Sequence, residues 1–172
     1  GFVPGAEGVR MTKTGIEASF FSEIADTLSV CFSKGLGAPV GSMLLGPGHL
    51  IREAFRFRKM WGGGMRQVGL LAAAADHAFE HHFPLLGRDH ERAQRFAQAI
   101  SENPKFEIDP AHIETNIVMF ETKDADAQSE LRLFEEKGIH MVPFGPTTIR
   151  ATFHFQLTDP QIEELLEITK TI

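Results

Sequence analysis

Glycine and proline cut this chain so closely that no regular element in it can run long. Lys34-Gly35-Leu36-Gly37-Ala38-Pro39, Gly46-Pro47-Gly48, Trp61-Gly62-Gly63-Gly64, Phe83-Pro84 and Asn103-Pro104 each stop the element before them. Glycine carries a large backbone entropy cost in a helix or strand, and proline offers no backbone N–H. The pieces between these breaks are short and change type along the chain. Residues 1–25 are poorly patterned, with room only for a short helix over Glu17–Ala25. In Thr27–Ser33 apolar Leu28, Val30 and Phe32 alternate with small or polar neighbours, which predicts a strand. Val40–Leu45 predicts a second strand, close enough to pair with the first as a hairpin. Helices are predicted over His49–Met60, Met65–His81 and Gly87–Ser101.

After Asn103-Pro104 the rhythm changes. A strand at Thr115–Glu121 is followed by a helix at Ala125–Lys137, closed by Gly138. Strands at Ile139–Val142 and Thr148–Phe153 follow, then a helix at Asp159–Thr171 with Pro160 in its first turn. This ordering divides the chain into residues 1–82 and a small α+β lobe over residues 83–172.

Composition narrows the function class. With 172 residues, 42% apolar and 23% charged, the chain can bury a core and is not disordered throughout. A net charge of −6 argues against a general nucleic-acid surface. The single cysteine, Cys31, excludes an internal disulfide framework. The longest strongly apolar run, Val68–Ala75, is too short to span a bilayer, and no basic-then-apolar leader opens the sequence. The expected setting is the cytoplasm, with an organelle matrix as the alternative. Neither a membrane nor a nucleic acid is an expected partner. The chain also has 15 Phe, one Trp and no Tyr, a bias to which the sequence attaches no function.

Four segments carry candidate chemistry. Lys34 stands at the end of an apolar strand among glycines and small residues. Small neighbours let a planar group approach the backbone, and desolvation would favour the uncharged, nucleophilic amine. A solvated lysine in a glycine-rich turn is the alternative. Arg56-Phe57-Arg58-Lys59-Met60-Trp61-Gly62-Gly63-Gly64-Met65-Arg66-Gln67 places basic residues around glycines before a helix, an arrangement suited to an anion. It lacks the Gly-Lys-Ser/Thr of nucleotide hydrolases and is not a dinucleotide fingerprint; a helix–helix corner with a solvated basic face reads equally well.

His77-Ala78-Phe79-Glu80-His81 has two histidines one helical turn apart with Glu80 between them, the spacing of a zinc hydrolase. No third ligand stands out, and surface histidines beside Glu80 are the alternative, so no metal is expected. Arg150 lies in a predicted strand on the opposite face from Ile149 and Ala151, where it could grip a carboxylate through two parallel hydrogen bonds. An exposed edge-strand arginine is the competing reading.

Together, three stretches in order resemble the low-specificity L-threonine aldolase family: Asp26–Ser42, Arg58–Gln67 and the alanine-rich Leu70–Ala75. The resemblance implies an α/β chain: the C-terminal part of the large domain of a pyridoxal phosphate (PLP) enzyme of aminotransferase type (fold type I), then a small α+β domain. It implies PLP as cofactor, covalently held by Lys34. Lys59 and Arg66 would line the site entrance, holding the cofactor phosphate or substrate, and Arg150 would bind the substrate carboxylate. Glu7-Gly8-Val9-Arg10 resembles the family's Asp-Gly-Ala-Arg; Glu7 would face the pyridine nitrogen and Arg10 the carboxylate. Glu7 departs from the family's aspartate by one methylene. The implied reaction cleaves L-threonine or L-allo-threonine to glycine and an aldehyde, in a homo-oligomer (dimer or tetramer). The resemblance also implies a longer family chain, whose preceding part supplies the phosphate loop and a ring-stacking histidine. A catalytically silent subunit or interaction module of the same fold is the rival expectation.

Overall fold

The computed structural model describes Ile16 and residues 18–172. The chain separates into two compact units, the first ending at Leu86 and the second comprising Gly87–Ile172.

In the first unit, helix α1 (Ala18–Ile24) precedes strands β1 (Leu28–Cys31) and β2 (Ser42–Leu45). The strands pair antiparallel, with Leu28 opposite Leu45 and Cys31 opposite Ser42. The hairpin predicted from alternation is therefore present, each strand shorter than its apolar pattern. Helix α2 (Gly48–Met60) ends at the glycine corner, and helix α3 (Gly69–His81) leads into a 3₁₀ turn at Phe83–Leu85. Helix α3 starts four residues later than the sequence pattern suggests. Gln67 takes φ 51°, a left-handed conformation that cannot continue a right-handed helix. A small buried cluster, Leu36, Ala38, Ala78 and Leu86, joins the turn after β1 to α3, with Phe32, Ala75 and Phe83 packed against it.

The second unit is a two-layer α/β arrangement. Helix α4 (Leu86–Glu102), whose first residue belongs to the first unit, is followed by strand β3 (Phe106–Glu107), a 3₁₀ turn at Pro110–His112 and strand β4 (Ile117–Thr122). Helix α5 (Ala127–Glu135), strands β5 (Val142–Pro143) and β6 (Thr148–Thr152) and helix α6 (Asp159–Thr171) complete it. The sheet order is β3-β4-β6-β5, all antiparallel neighbours. Alternation along β4 and β6 turns Val118, Phe120, Ile149 and Ala151 inward. There they meet Phe96 and Ile100 of α4, Leu131 and Phe134 of α5 and Ile162 of α6.

Much of the phenylalanine bias is spent in this core. Phe96, Phe106, Phe120, Phe134 and Phe153 form a chain of ring contacts with centroids 5.2 to 6.0 Å apart, favourable edge-on or tilted geometries. The predicted strand at Ile139–Val142 is a correction. Only Val142–Pro143 pairs, because Gly138 (φ 78°) and the bond from Ile139 N–H to Phe134 C=O use the preceding residues to close α5. Pro143, which cannot donate to a ladder, sits on the edge strand where none is required. Strand β3 has no counterpart in the sequence reading; two residues are too few to show an alternation.

Candidate active-site residues

Lys34 lies on the connection between β1 and β2. That connection is held by Ala38 N–H to Phe32 C=O (2.9 Å), Gly37 N–H to Lys34 C=O (2.8 Å) and Phe32 N–H to Gly41 C=O (2.9 Å). His82 Nδ1 donates to the Leu36 carbonyl at 2.6 Å, tying the turn to the end of α3. Gly37 has φ 68° and Gly41 φ 123°, conformations open to glycine and strained for residues with a Cβ. A Cβ on Gly35 would come within 3.1 Å of the Leu86 side chain. The small residues around Lys34 thus have steric work to do in the turn itself. Lys34 is exposed within this unit, so the desolvation that the reactive-amine reading invoked is not provided by its own unit. The amine is presented on a braced turn, free of any ion pair among the described residues.

The basic corner follows α2. Trp61 is 78% exposed and stacks on Phe57 with ring centroids 5.3 Å apart. The Arg58 guanidinium lies 4.7 Å from the Phe55 ring centroid, within cation–π range. Lys59 folds back over the glycines: a Cβ on Gly64 would fall 2.5 Å from Lys59 Cδ. Lys59 and Arg66 are both exposed.

Beside this corner an apolar cleft of about 1350 Å³ opens between the hairpin and helices α2 and α3. Leu28, Val30, Met43, Phe55, Val68 and Phe79 are among its lining, and Arg58 and Asp76 are its charged residues. Lys34, Lys59 and Arg66 do not line it. The cleft is too apolar to be a phosphate site.

In the second unit Arg150 lies on β6, an interior strand flanked by β4 and β5. This overturns the edge-strand alternative. Ile149 and Ala151 are buried while Arg150 is half-buried on the other face, with Met119 and Val142 as its cross-strand neighbours. No ion pair among the described residues engages its guanidinium.

His77 and His81 meet in a tilted arrangement with ring centroids 4.3 Å apart, and His77 meets His82 edge-on at 5.5 Å. Among the described residues no group of three or more His, Cys, Asp or Glu could hold a metal ion. No helix among the described residues is long and apolar enough to cross a membrane. Glu7 and Arg10 lie outside the described residues.

Sequence reasoning missed two polar groupings of the second unit. Buried Asp89 and Arg92 sit 3.6 Å apart on α4, a spacing lost among the helix's other charges. Glu121 accepts hydrogen bonds from the hydroxyls of Thr147 (2.7 Å) and Thr148 (2.6 Å). Strand alternation could have put Glu121 on the face of Arg150, but only the β4–β6 register shows which residues it meets.

Comparison with known proteins places these features. The fold is similar to that of a protein from Exiguobacterium sp. 255-15 assigned as an aromatic amino acid beta-eliminating lyase/threonine aldolase. The TM-score is 0.81 at 17% identity, over 97% of this chain and 50% of that one. It is also similar to SPT with its PLP internal aldimine, with a TM-score of 0.66 at 18% identity, over 90% of this chain and 41% of that one. The fold is therefore that of PLP-dependent enzymes of fold type I. The family profile of the beta-eliminating lyases matches residues 8–124, and the chain belongs to that family. Low-specificity L-threonine aldolase 1 of Arabidopsis thaliana is 35% identical over 155 residues, covering 88% of this chain and 43% of the relative. The chain thus spans less than half the length of that curated relative.

Proposed function

We propose that this chain carries the lysine-bearing part of a PLP-dependent aldolase that cleaves β-hydroxy amino acids, L-threonine and L-allo-threonine, to glycine and an aldehyde. The observation that carries this reading is Lys34, presented by a turn braced at Phe32, Gly37, Ala38 and His82, inside the stretch matched to the beta-eliminating lyases. A fixed backbone aims the amine, while its exposure leaves room for a planar group beside Gly35 and Gly37. The residues present fit a covalently held PLP in this respect. When bound, PLP supplies an electron sink for the bonds at the amino-acid Cα.

The remaining roles belong to the chain's own side chains. Lys34 holds the cofactor. Lys59 and Arg66 offer cations to a phosphate or carboxylate. Arg150 grips the substrate carboxylate in two-point fashion, which fixes the orientation of the bond to be cleaved. Glu7 would face the ring nitrogen and Arg10 the carboxylate.

Exposed apolar surface supports assembly with further polypeptide. Met43, Leu44, Leu45, Phe55, Trp61 and Leu70 are exposed on the first unit, and large apolar side chains left in the open are what a partner polypeptide would cover. A homo-oligomer is the form of assembly we propose.

The test is spectroscopic. Adding PLP should give the absorbance of a lysine-bound cofactor, and Lys34→Ala should abolish it. An unmutated chain that shows no such absorbance refutes the cofactor reading. Bound PLP without release of glycine from threonine would instead favour the catalytically silent subunit.

A further inference from the structure

Arg150 should not be as unencumbered as it is. On the open face of the sheet Glu121 shares its surface, being two residues from Met119, the cross-strand neighbour of Arg150. Glu121 itself lies opposite Thr148, which makes it a diagonal neighbour of Arg150. At such a spacing long side chains of opposite charge come within reach and pair. Here no ion pair forms between them; each carboxylate oxygen of Glu121 is instead turned to a threonine hydroxyl. Thr148 Oγ1 donates to Oε1 at 2.6 Å and Thr147 Oγ1 donates to Oε2 at 2.7 Å, short contacts of the charge-assisted kind.

The Thr148 hydroxyl is in turn confined. A Cβ on Gly145 would approach Thr148 Oγ1 to 3.1 Å, so glycine at 145 leaves this hydroxyl the room to reach Glu121. Met119 and Val142, the residues that flank Arg150 across both neighbouring strands, offer no competing carboxylate. The guanidinium is left half-buried, flanked by apolar neighbours and open to a ligand.

We propose that Thr147 and Thr148 are positioning residues that hold Glu121 away from Arg150 and so keep its guanidinium available to a carboxylate ligand. The inference rests on the carboxylate-binding role proposed above for Arg150. Without the two hydroxyls the Glu121 carboxylate would turn to Arg150, the one cation of β6, and a ligand would have to displace it. Displacing a cross-strand ion pair should weaken ligand binding by about fivefold.

The experiment follows the Arg150 Nε–H resonance by ¹⁵N NMR, assigned through Arg150→Lys, with glycine as the carboxylate probe. In the double variant Thr147→Val/Thr148→Val the resonance should move before any glycine is added, and glycine should bind about fivefold more weakly. Adding Glu121→Gln should restore both, which a merely structural disturbance of the sheet would not do. Thr147→Ser/Thr148→Ser keeps the hydroxyls and should behave as the parent chain. An Arg150 resonance unchanged by the valine substitutions overturns the proposal, as does a valine effect that Glu121→Gln leaves in place. If glycine fails to move Arg150 in the parent while the valine variant shows the Glu121-dependent shift, the carboxylate role of Arg150 falls and the restraint on Glu121 stands.

Discussion

Replacing Asp89 by Asn should stabilise the second unit at neutral pH, and the gain should vanish in acid. Asp89 sits in the first turn of α4 with a relative exposure of 1%. Neither of its carboxylate oxygens has a hydrogen-bond partner among the described residues. Arg92 Nη1 stands 3.6 Å away, too far for a direct hydrogen bond. Arg92 is itself 4% exposed and directs its Nη2 to Asp159 instead. Burial pushes the Asp89 carboxyl above its ordinary 3.8, against the opposing pull of Arg92, Arg88 and His154.

The folded state therefore holds this proton more tightly than the unfolded chain. Between 3.8 and the raised value the folded state binds more protons, so stability increases as pH falls through that window and declines as pH rises through it. A buried polar group without hydrogen bonds costs about 1–3 kcal/mol, and more when it is charged. Loss of attraction to Arg92 returns part of any gain from removing it. Because burial outweighs that attraction, Asp89→Asn should be more stable than the parent by about 1 kcal/mol near neutrality. The difference should approach zero where Asp89 is protonated. Urea unfolding followed by amide exchange in α4 and β6, at neutral pH and near pH 4, measures both. An Asn variant less stable than the parent at neutral pH would refute the reasoning, since it would make the ion pair with Arg92 the dominant effect.

Three further outcomes follow from packing and capping. Phe120→Ala should cost the second unit about 4 kcal/mol, because the ring is 2% exposed and meets Phe96 and Phe106 edge-on; Phe144→Ala, at 63% exposure, should stay within about 0.5 kcal/mol. Both are read from urea midpoints. Thr158→Ala should lower the stability of α6 by about 1 kcal/mol, visible as faster amide exchange in its first turn, since Thr158 N–H and Oγ1 both donate to Gln161 Oε1 at 2.9 Å. Gly46→Ala should destabilise the β1–β2 hairpin by about 1–3 kcal/mol, because its new Cβ would lie 3.0 Å from the Asp26 carbonyl oxygen. Exchange of the hairpin amides measures that loss.

The elements themselves were largely legible because their signals are local. Alternation at Leu28, Val30 and Phe32, the Lys137-Gly138 ending and the Thr158–Pro160 start each act over a few residues. Helix α6 falls on its predicted span, Asp159–Thr171. The misses came where local chemistry was ambiguous. Met65–Val68 reads as helix until the left-handed Gln67 is known. Ile139–Met141 reads as strand until Ile139 is seen closing α5 and the Ile139 and Met141 side chains packing on the core.

By itself the sequence determined where the chain must bend and which faces are apolar, and it carried the Lys34 and Trp61–Gly64 segments by which the family is recognised. Glycine and proline act through their own φ, ψ and missing N–H, so no partner is required to see their effect. Tertiary structure alone decided that Arg150 lies on an interior strand with Glu121 beside it, and that Thr147 and Thr148 hold that carboxylate. It also decided that Asp89 is buried next to Arg92 and that Lys34 is exposed on a turn held from α3. Each of these depends on strand register or helix packing, which brings together residues up to 46 positions apart in the case of His82 and Leu36. Charge and burial are properties of such neighbourhoods, and a residue's own identity does not contain them.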